Sequence, residues 1–283
     1  MNICELKNRY SSISKIKKGG QKIVYRAEAS NKDVVALKLI NNVEDPRVLQ
    51  EINIVKTLLL RNVPKILESG IVTDETVGED VLYIVEEFIE GISLRDWLNA
   101  GNKFTLSHAF QVINTLLEIE MELEKIHILH RDINPNNIIL GNNGTIYLID
   151  FGLAKNLKGI SLTRTAAVHG PFTPGYAPHE QFTNMKLEQD VRTDLFQIGV
   201  TIYEGCNGKN PFVVPNETPF QIMSRTMTML PPALILENDT KGMFSQFINM
   251  LMAKNQSQRP DTAADAMRYL NAIKSTLILE GNV

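Results

Sequence analysis

Four side chains in this chain suit phosphoryl transfer, and they occur in one order. That chemistry asks for a cation on the phosphates, oxygen ligands for magnesium and a carboxylate facing the incoming hydroxyl. Lys38 lies in the apolar run VVALKLI, Asp132 and Asn137 share HRDINPNNIIL, and Asp150 opens DFG. An ion pair from Lys38 to Glu51 would hold the ammonium toward phosphate, Asn137 and Asp150 would hold magnesium, and Asp132 would face the hydroxyl. Each is weak alone, because a lone Lys or Glu is a surface charge and a lone Asp-Phe-Gly is a turn. The signal lies in their order and combination.

Elements on either side must carry these groups. Before residue 90 the segments SSISKIK, KIVYRAEA, DVVALKLI, ILESGIVT and VLYIVEEF are rich in β-branched and aromatic residues, which predicts strands. One helix interrupts them. In PRVLQEINIVKTLLL, Pro46 can open the helix, and Val48, Ile52, Val55 and Leu59 recur at helical spacing with Glu51 beside the stripe. After EEFIEG the pattern turns helical, with SLRDWLNA, SHAFQVINTLLEIEMELEKI, DLFQIGVTIYEG, KGMFSQFINMLMA and TAADAMRYLNAIK as the main candidates. The exception is NIILGNNGTIYLID, where two apolar runs around an Asn-Gly turn predict a hairpin between Asn137 and Asp150. The boundary falls near residue 90, which predicts units over 1–90 and 91–283. No internal repeat or low-complexity segment is present.

With 283 residues, 43% of them hydrophobic, the chain can build a sizeable core without staples. Its net charge of −3, with both signs interspersed, gives no reason to expect nucleic acid or an anionic membrane as partner. Cys4 and Cys206 lie far apart in neither a disulfide nor a metal-ligand pattern, which fits a reducing compartment. MNICELKNRY has no apolar h-region, and no segment approaches the ~18 apolar residues of a membrane span. The expectation is a soluble, cytoplasmic protein.

VALK, the helix Glu, HRDxxxxN, DFG, TPGYAPHE and the late Arg259 in QSQRP together resemble a eukaryotic-type (Hanks-type) Ser/Thr protein kinase catalytic domain, of the soluble kind also found in bacteria. The resemblance implies an α+β, bilobal fold. Its N-lobe, over 1–90, would be an antiparallel sheet with one main helix that binds nucleotide, and its C-lobe, over 91–283, would be mostly helical. Implied cofactors are ATP and Mg2+, with Mn2+ as an alternative. Implied partners are protein substrates bearing Ser or Thr, other copies of this chain among them through self-phosphorylation in trans. Carried over residue by residue, the catalytic positions are Asp132, Lys38, Asn137 and Asn134. The nucleotide-binding positions are Gly19, Gly20, Val24, Ala36, Lys38, Glu51, Glu87, Ile89, Ile139 and Asp150. The backbone C=O and N–H groups of Glu87 to Ile89 would pair with the adenine edge. Thr173 to Tyr176 would form the wall that receives a peptide. A Glu180–Arg259 pair would lock that segment down, and Asp194 would brace the HRD turn. Arg131 stands where the family grips a phosphorylated activation segment, with Thr163 and Thr165 favoured over Ser161 as its phosphate bearers and Thr173 also placed in that regulated segment.

Three departures from the family pattern stand out. The spacing G-x-G-x-x-G-x-V, anchored on Val24, falls on Lys17, Gly19 and Lys22, so only the middle glycine is kept, with Gly20 beside it. Lys17, Lys18 and Lys22 are each read as solvated. Glu86 falls at the gatekeeper position, where a desolvated carboxylate would compete with Glu51 for Lys38. Asn134 replaces a lysine that contacts the transferring phosphate, forfeiting a positive charge where charge stabilisation dominates. No Arg appears in INPNN, so Tyr specificity gains no support. The preferred reading is an active Ser/Thr protein kinase, because all four core groups are kept. The alternatives are a pseudokinase scaffold that binds ATP, and a small-molecule kinase of the aminoglycoside phosphotransferase type, against which the TPGYAPHE segment, Arg131 and Arg259 all stand.

Overall fold

The computed structural model describes residues 2–18, 22–41, 60–75, 78–151, 155–156, 172–183 and 188–279. The helix expected from Pro46, with Glu51 on it, lies outside them, as do Gly19, Gly20, Ser161, Thr163 and Thr165. The chain divides into two compact units, Met1–Glu90 and Gly91–Val283.

In the first unit the β-branched runs form a five-stranded antiparallel sheet. Its strands are β1 (Tyr10–Lys18), β2 (Lys22–Ala29), β3 (Val34–Asn41), β4 (Ile66–Asp74) and β5 (Glu79–Glu87), in the order β1-β2-β3-β5-β4. Six consecutive residues are buried in both β3 and β5, so these strands are covered on both faces. Side chains alternate along a strand. Val35, Leu37 and Leu39 therefore pack with Val81, Tyr83 and Val85 in one cluster, while Ile40 packs with Leu82 and Ile84 on the opposite face. Lys38 and Glu86 belong to that second face by the same alternation. Leu6, from the short helix α1 (Ile3–Lys7), fills the first cluster. A capping box starts this helix, Glu5 N donating to Asn2 Oδ1 at 2.7 Å and Asn2 N donating to Glu5 Oε2 at 3.0 Å. The sequence reading lacks α1 because five residues are too few for a hydrophobic period to register.

The second unit begins with β6 (Gly91–Ser93) and α2 (Leu94–Asn99), which Ser93 caps. Helix α3 (Leu106–Lys125) follows, capped by Thr105, whose hydroxyl accepts from His108 N. Strand β7 (Ile128–Leu129) leads into the loop at His130. The predicted hairpin is β8 (Ile138–Gly141) and β9 (Ile146–Leu148), with Ile138 opposite Leu148, Ile139 opposite Tyr147 and Leu140 opposite Ile146. Gly144 adopts φ +78° in its turn, a conformation glycine takes without strain. β8 also pairs with β6, and β7 pairs with β10 (Lys155–Asn156).

The remaining helices are α4 (His179–Phe182), α5 (Val191–Asn207), α6 (Pro219–Thr228), α7 (Met243–Leu251) and α8 (Ala263–Ile273). Helix α5 is buried almost all round, as a central helix must be. A Cβ on its Gly205 would lie 2.2 Å from the Phe104 ring, so only glycine admits that ring so close to the helix. Helix α6 was not among the sequence candidates, although Pro219 at its first turn and the Thr218–Gln221 capping box announce it. It is only ten residues long, and just two of its buried residues, Ile222 and Met223, are apolar, so its signal in the sequence is short. Among the described residues no helix is long and apolar enough to cross a membrane.

Candidate active site

The loop from His130 to Asn137 is held by side chains rather than by regular structure. Arg131 adopts φ +66°, which turns the backbone so that successive N–H groups face inward. Asp194, fully buried in the first turn of α5, accepts both of them, His130 N at 2.8 Å on Oδ2 and Arg131 N at 2.7 Å on Oδ1. Burial pushes this carboxyl up, and the two N–H bonds and the Arg131 charge oppose the rise. Gln197, three residues on along the same helix, accepts Ile133 N at 2.7 Å and donates to Arg131 O at 2.9 Å. Gln181 of α4 donates to that same carbonyl at 2.8 Å and accepts from Gln197 Nε2 at 2.7 Å. Thr201, another turn along α5, donates to Ile133 O at 3.4 Å. Sequence reasoning named Asp194 alone. The i, i+3 and i+7 spacing of Asp194, Gln197 and Thr201 on a helix was the signal for the others.

Asp132 stands at the centre of a network of donors. Its Oδ1 accepts Asn134 Nδ2 at 2.9 Å and Thr173 Oγ1 at 2.5 Å, and its Oδ2 accepts Asn137 Nδ2 at 2.8 Å. Burial foremost, with the charge of Asp150 added, pushes the Asp132 carboxyl up to about 6, while the bonds from Thr173, Asn137 and Asn134 pull it down. Asn134 is buried at 2% exposure, and both ends of its amide are engaged within the loop. Its Nδ2 also reaches Asp132 O, and its Oδ1 accepts Asn136 N and Nδ2 at 3.0 Å, capping the short helical turn Pro135–Asn137. Where a lysine would extend a charge, this side chain turns inward and orients Asp132.

The hairpin ties the second carboxylate to this loop. Ile149 N donates to Asn137 O at 2.8 Å as the chain leaves β9, and Asp150 follows at φ +71°. Phe151, 2% exposed, lays its ring 4.6 Å from that of His130. Burial drives the His130 imidazole down to about 4, so at neutral pH it is an uncharged buttress.

The TPGYAPHE segment is fixed at both ends. Tyr176 OH donates to Glu204 Oε2 and accepts from Arg95 Nη2 at 2.6 Å, while Arg95 Nη1 bonds Glu204 Oε1 at 2.7 Å. Sequence reasoning missed Arg95 and Glu204, which lie far from Tyr176 along the chain and share no motif with it. At the other end Arg259 Nη1 meets Glu180 Oε1 at 2.6 Å, with side-chain exposures of 0% and 5%. Arg259 also bonds Ala253 O at 2.8 Å and Arg192 O at 3.0 Å, so the buried guanidinium is well satisfied.

In the first unit Lys38 lies on β3 with Val24 of β2 opposite it. Its Nζ lies 2.7 Å from Glu86 Oε1, both side chains being almost wholly buried. Ala36 is buried beside them, and Glu87, at the end of β5, is partly exposed, its N–H donating to Lys65 O at 3.0 Å. The register sets Ala36 opposite Glu86, so the Glu86 carboxylate shares the face of Lys38.

An antiparallel sheet carrying a buried lysine, and a helical unit carrying a braced Asp with an Asn and a second Asp close by, define a protein kinase fold. Residues 10–270 match the protein kinase domain family, and the chain belongs to it. It is 28% identical over 279 residues to a probable serine/threonine-protein kinase of Clostridium perfringens, covering 95% of this chain and 39% of the relative. It is 30% identical over 193 residues to the serine/threonine-protein kinase PknB of Mycolicibacterium smegmatis, covering 68% of this chain and 30% of the relative. The chain thus spans about a third of the length of these curated relatives.

Proposed function

We propose that this chain is an ATP-dependent Ser/Thr protein kinase that transfers the γ-phosphoryl group to a hydroxyl of a protein substrate. The observation that carries the reading is the Asp132 carboxylate, fixed by three side-chain donors and poised at about 6, near the working range of a proton acceptor. Kinase family membership and relatives named as serine/threonine-protein kinases support it.

The donor set fits magnesium. Asn137 uses its Nδ2 on Asp132, which leaves its amide oxygen as an acceptor, and Asp150 adds a carboxylate. Hard oxygen ligands in this small number suit an ion that keeps waters and phosphate oxygens in its shell. Magnesium-bound ATP supplies the transferable phosphoryl group and neutralises charge on it. Lys38 holds phosphate oxygens, and the Glu87–Ile89 backbone takes the adenine edge. Gly19, Gly20, Val24, Ala36 and Ile139 complete the nucleotide contacts, and Glu51 supports Lys38. Asp132 orients the substrate hydroxyl and accepts its proton as the oxygen bonds to phosphorus and the bridging bond to the leaving diphosphate breaks. Asn134 acts through Asp132 as its positioning residue. Arg131 grips phosphate on Thr163 or Thr165, placed there by another copy of the chain.

The test is incubation with labelled ATP and magnesium, alone and with a generic basic protein, beside Asp132→Asn and Lys38→Ala. Transfer by the parent and loss in both variants is expected. Label persisting in both would defeat the assignment, and phosphopeptide mapping of the active protein should find phosphate between Asp150 and Glu180.

A further inference from the structure

We infer that Glu86 is a built-in competitor for the Lys38 ammonium, a positioning residue that holds the charge a phosphate oxygen would otherwise take and so sets how tightly nucleotide binds. The inference rests on the reading of Lys38 as the phosphate-binding cation.

Three observations carry it. The contact is short and dry, 2.7 Å from Lys38 Nζ to Glu86 Oε1 at side-chain exposures of 6% and 10%. It is also built by the sheet. Ala36 lies opposite Glu86 and Lys38 opposite Ile84, so the two charged side chains are diagonal neighbours on one face of adjoining central strands. Ile40, Leu82 and Ile84 on that face are all buried, and the pair itself is almost wholly covered, so little water is present to screen either charge.

Electrostatics then fixes the sign. A carboxylate 2.7 Å away neutralises the ammonium, and an arriving phosphate must share Lys38 with an anion whose backbone the strand register fixes beside it. Among the described residues the pair keeps a buried lysine from standing uncompensated, which explains how a carboxylate is tolerated at a position where the family usually has an apolar residue or Thr. The same pair lowers the attraction available to any anionic ligand. A carboxylate that served folding alone would leave ligand affinity untouched or, once removed, loosen the strand and weaken binding.

Calorimetric titration with MgADP, which needs no turnover, separates these cases in the parent, Glu86→Gln, Lys38→Met and the double variant. Glu86→Gln keeps an oxygen acceptor for Nζ while removing the charge, and should bind about fivefold tighter or better. Lys38→Met should bind more weakly than the parent, and adding Glu86→Gln to it should gain clearly less than the same change gains in the parent, because competition for the ammonium is then absent and only direct repulsion of phosphate is relieved. Glu86→Asp retracts the charge by one methylene and should show a smaller gain of the same sign. That variant decides the matter by the same criterion if Glu86→Gln does not fold. A folded Glu86→Gln or Glu86→Asp variant that binds no tighter than the parent, or a gain undiminished by loss of Lys38, overturns the inference. Failure of the parent and all variants to bind MgADP would instead overturn the kinase reading beneath it.

Discussion

The Thr173 hydroxyl donates to Oδ1 of Asp132 at 2.5 Å, so the segment proposed as the substrate wall is tied to the carboxylate proposed as proton acceptor. Thr173→Val keeps the shape and removes the donor. Its kcat should fall by ~10- to 100-fold, a part of the roughly 10²–10⁴-fold that a positioned acid–base group contributes. Thr173→Ser should restore most of the loss, and a Ser variant as slow as Val would show that the hydroxyl is not what matters.

The pH profile follows from the raised Asp132. Burial holds its folded value at about 6, above the ordinary carboxylate range, so the group is ionised and able to accept a proton only above that pH. As pH falls through about 6, kcat/KM should drop toward tenfold per unit. The stability sign is opposite. A carboxyl whose folded pKa is raised contributes stability when protonated, and that contribution is lost as pH rises through about 6. Activity should therefore fade on acidification before circular dichroism shows any unfolding from this group. A rate independent of pH between 5 and 7 would count against Asp132 as acceptor.

Asn134→Lys tests two effects together. Lysine has no acceptor, so Asn136 N loses its cap at a cost of about 1 kcal/mol, readable as a lower urea midpoint. An ammonium beside Asp132 would also favour its ionised form, moving the acid limb of the rate profile to lower pH. An unmoved limb in a folded variant would mean that the new charge does not reach Asp132.

The buried Glu180–Arg259 pair predicts a large penalty for breaking it on one side only. Arg259→Ala leaves a carboxylate without its partner and should lower stability by about 3–5 kcal/mol. Glu180→Gln with Arg259→Met, which removes both charges, should recover part of that in denaturant titrations. Equal losses in the single and double variants would mean that packing, not charge, sets the cost.

Much of the fold was legible because its signals are local. The alternating and buried runs of β3 and β5, the Asn-Gly turn of the β8–β9 hairpin and the long stripe of α3 each lie within one short window of sequence. The grouping of the candidate residues Asp132, Asn137 and Asp150 was legible for the same reason, since one loop and one hairpin contain them. Contacts between distant segments were not. Gln181, Gln197, Arg95 and Glu204 are ordinary polar residues of helices until folding aims them at a backbone carbonyl or a tyrosine. Glu86 stands between, because its position flagged a buried carboxylate competing for Lys38, while the strand register supplies the diagonal placement that brings the two within 2.7 Å.

Helix α5 carries one consequence for how this site can change. Asp194, Gln197, Thr201 and Glu204 lie along a single face and reach the HRD backbone at one end and Tyr176 at the other. Each residue of an α-helix advances the face by ~100°, so an insertion or deletion anywhere between Asp194 and Glu204 would swing one end of that row away from its partners. The HRD loop and the segment proposed as the substrate wall are thus in phase on one shaft. Neither can be retimed without the other, and only substitutions, never indels, are open to this stretch.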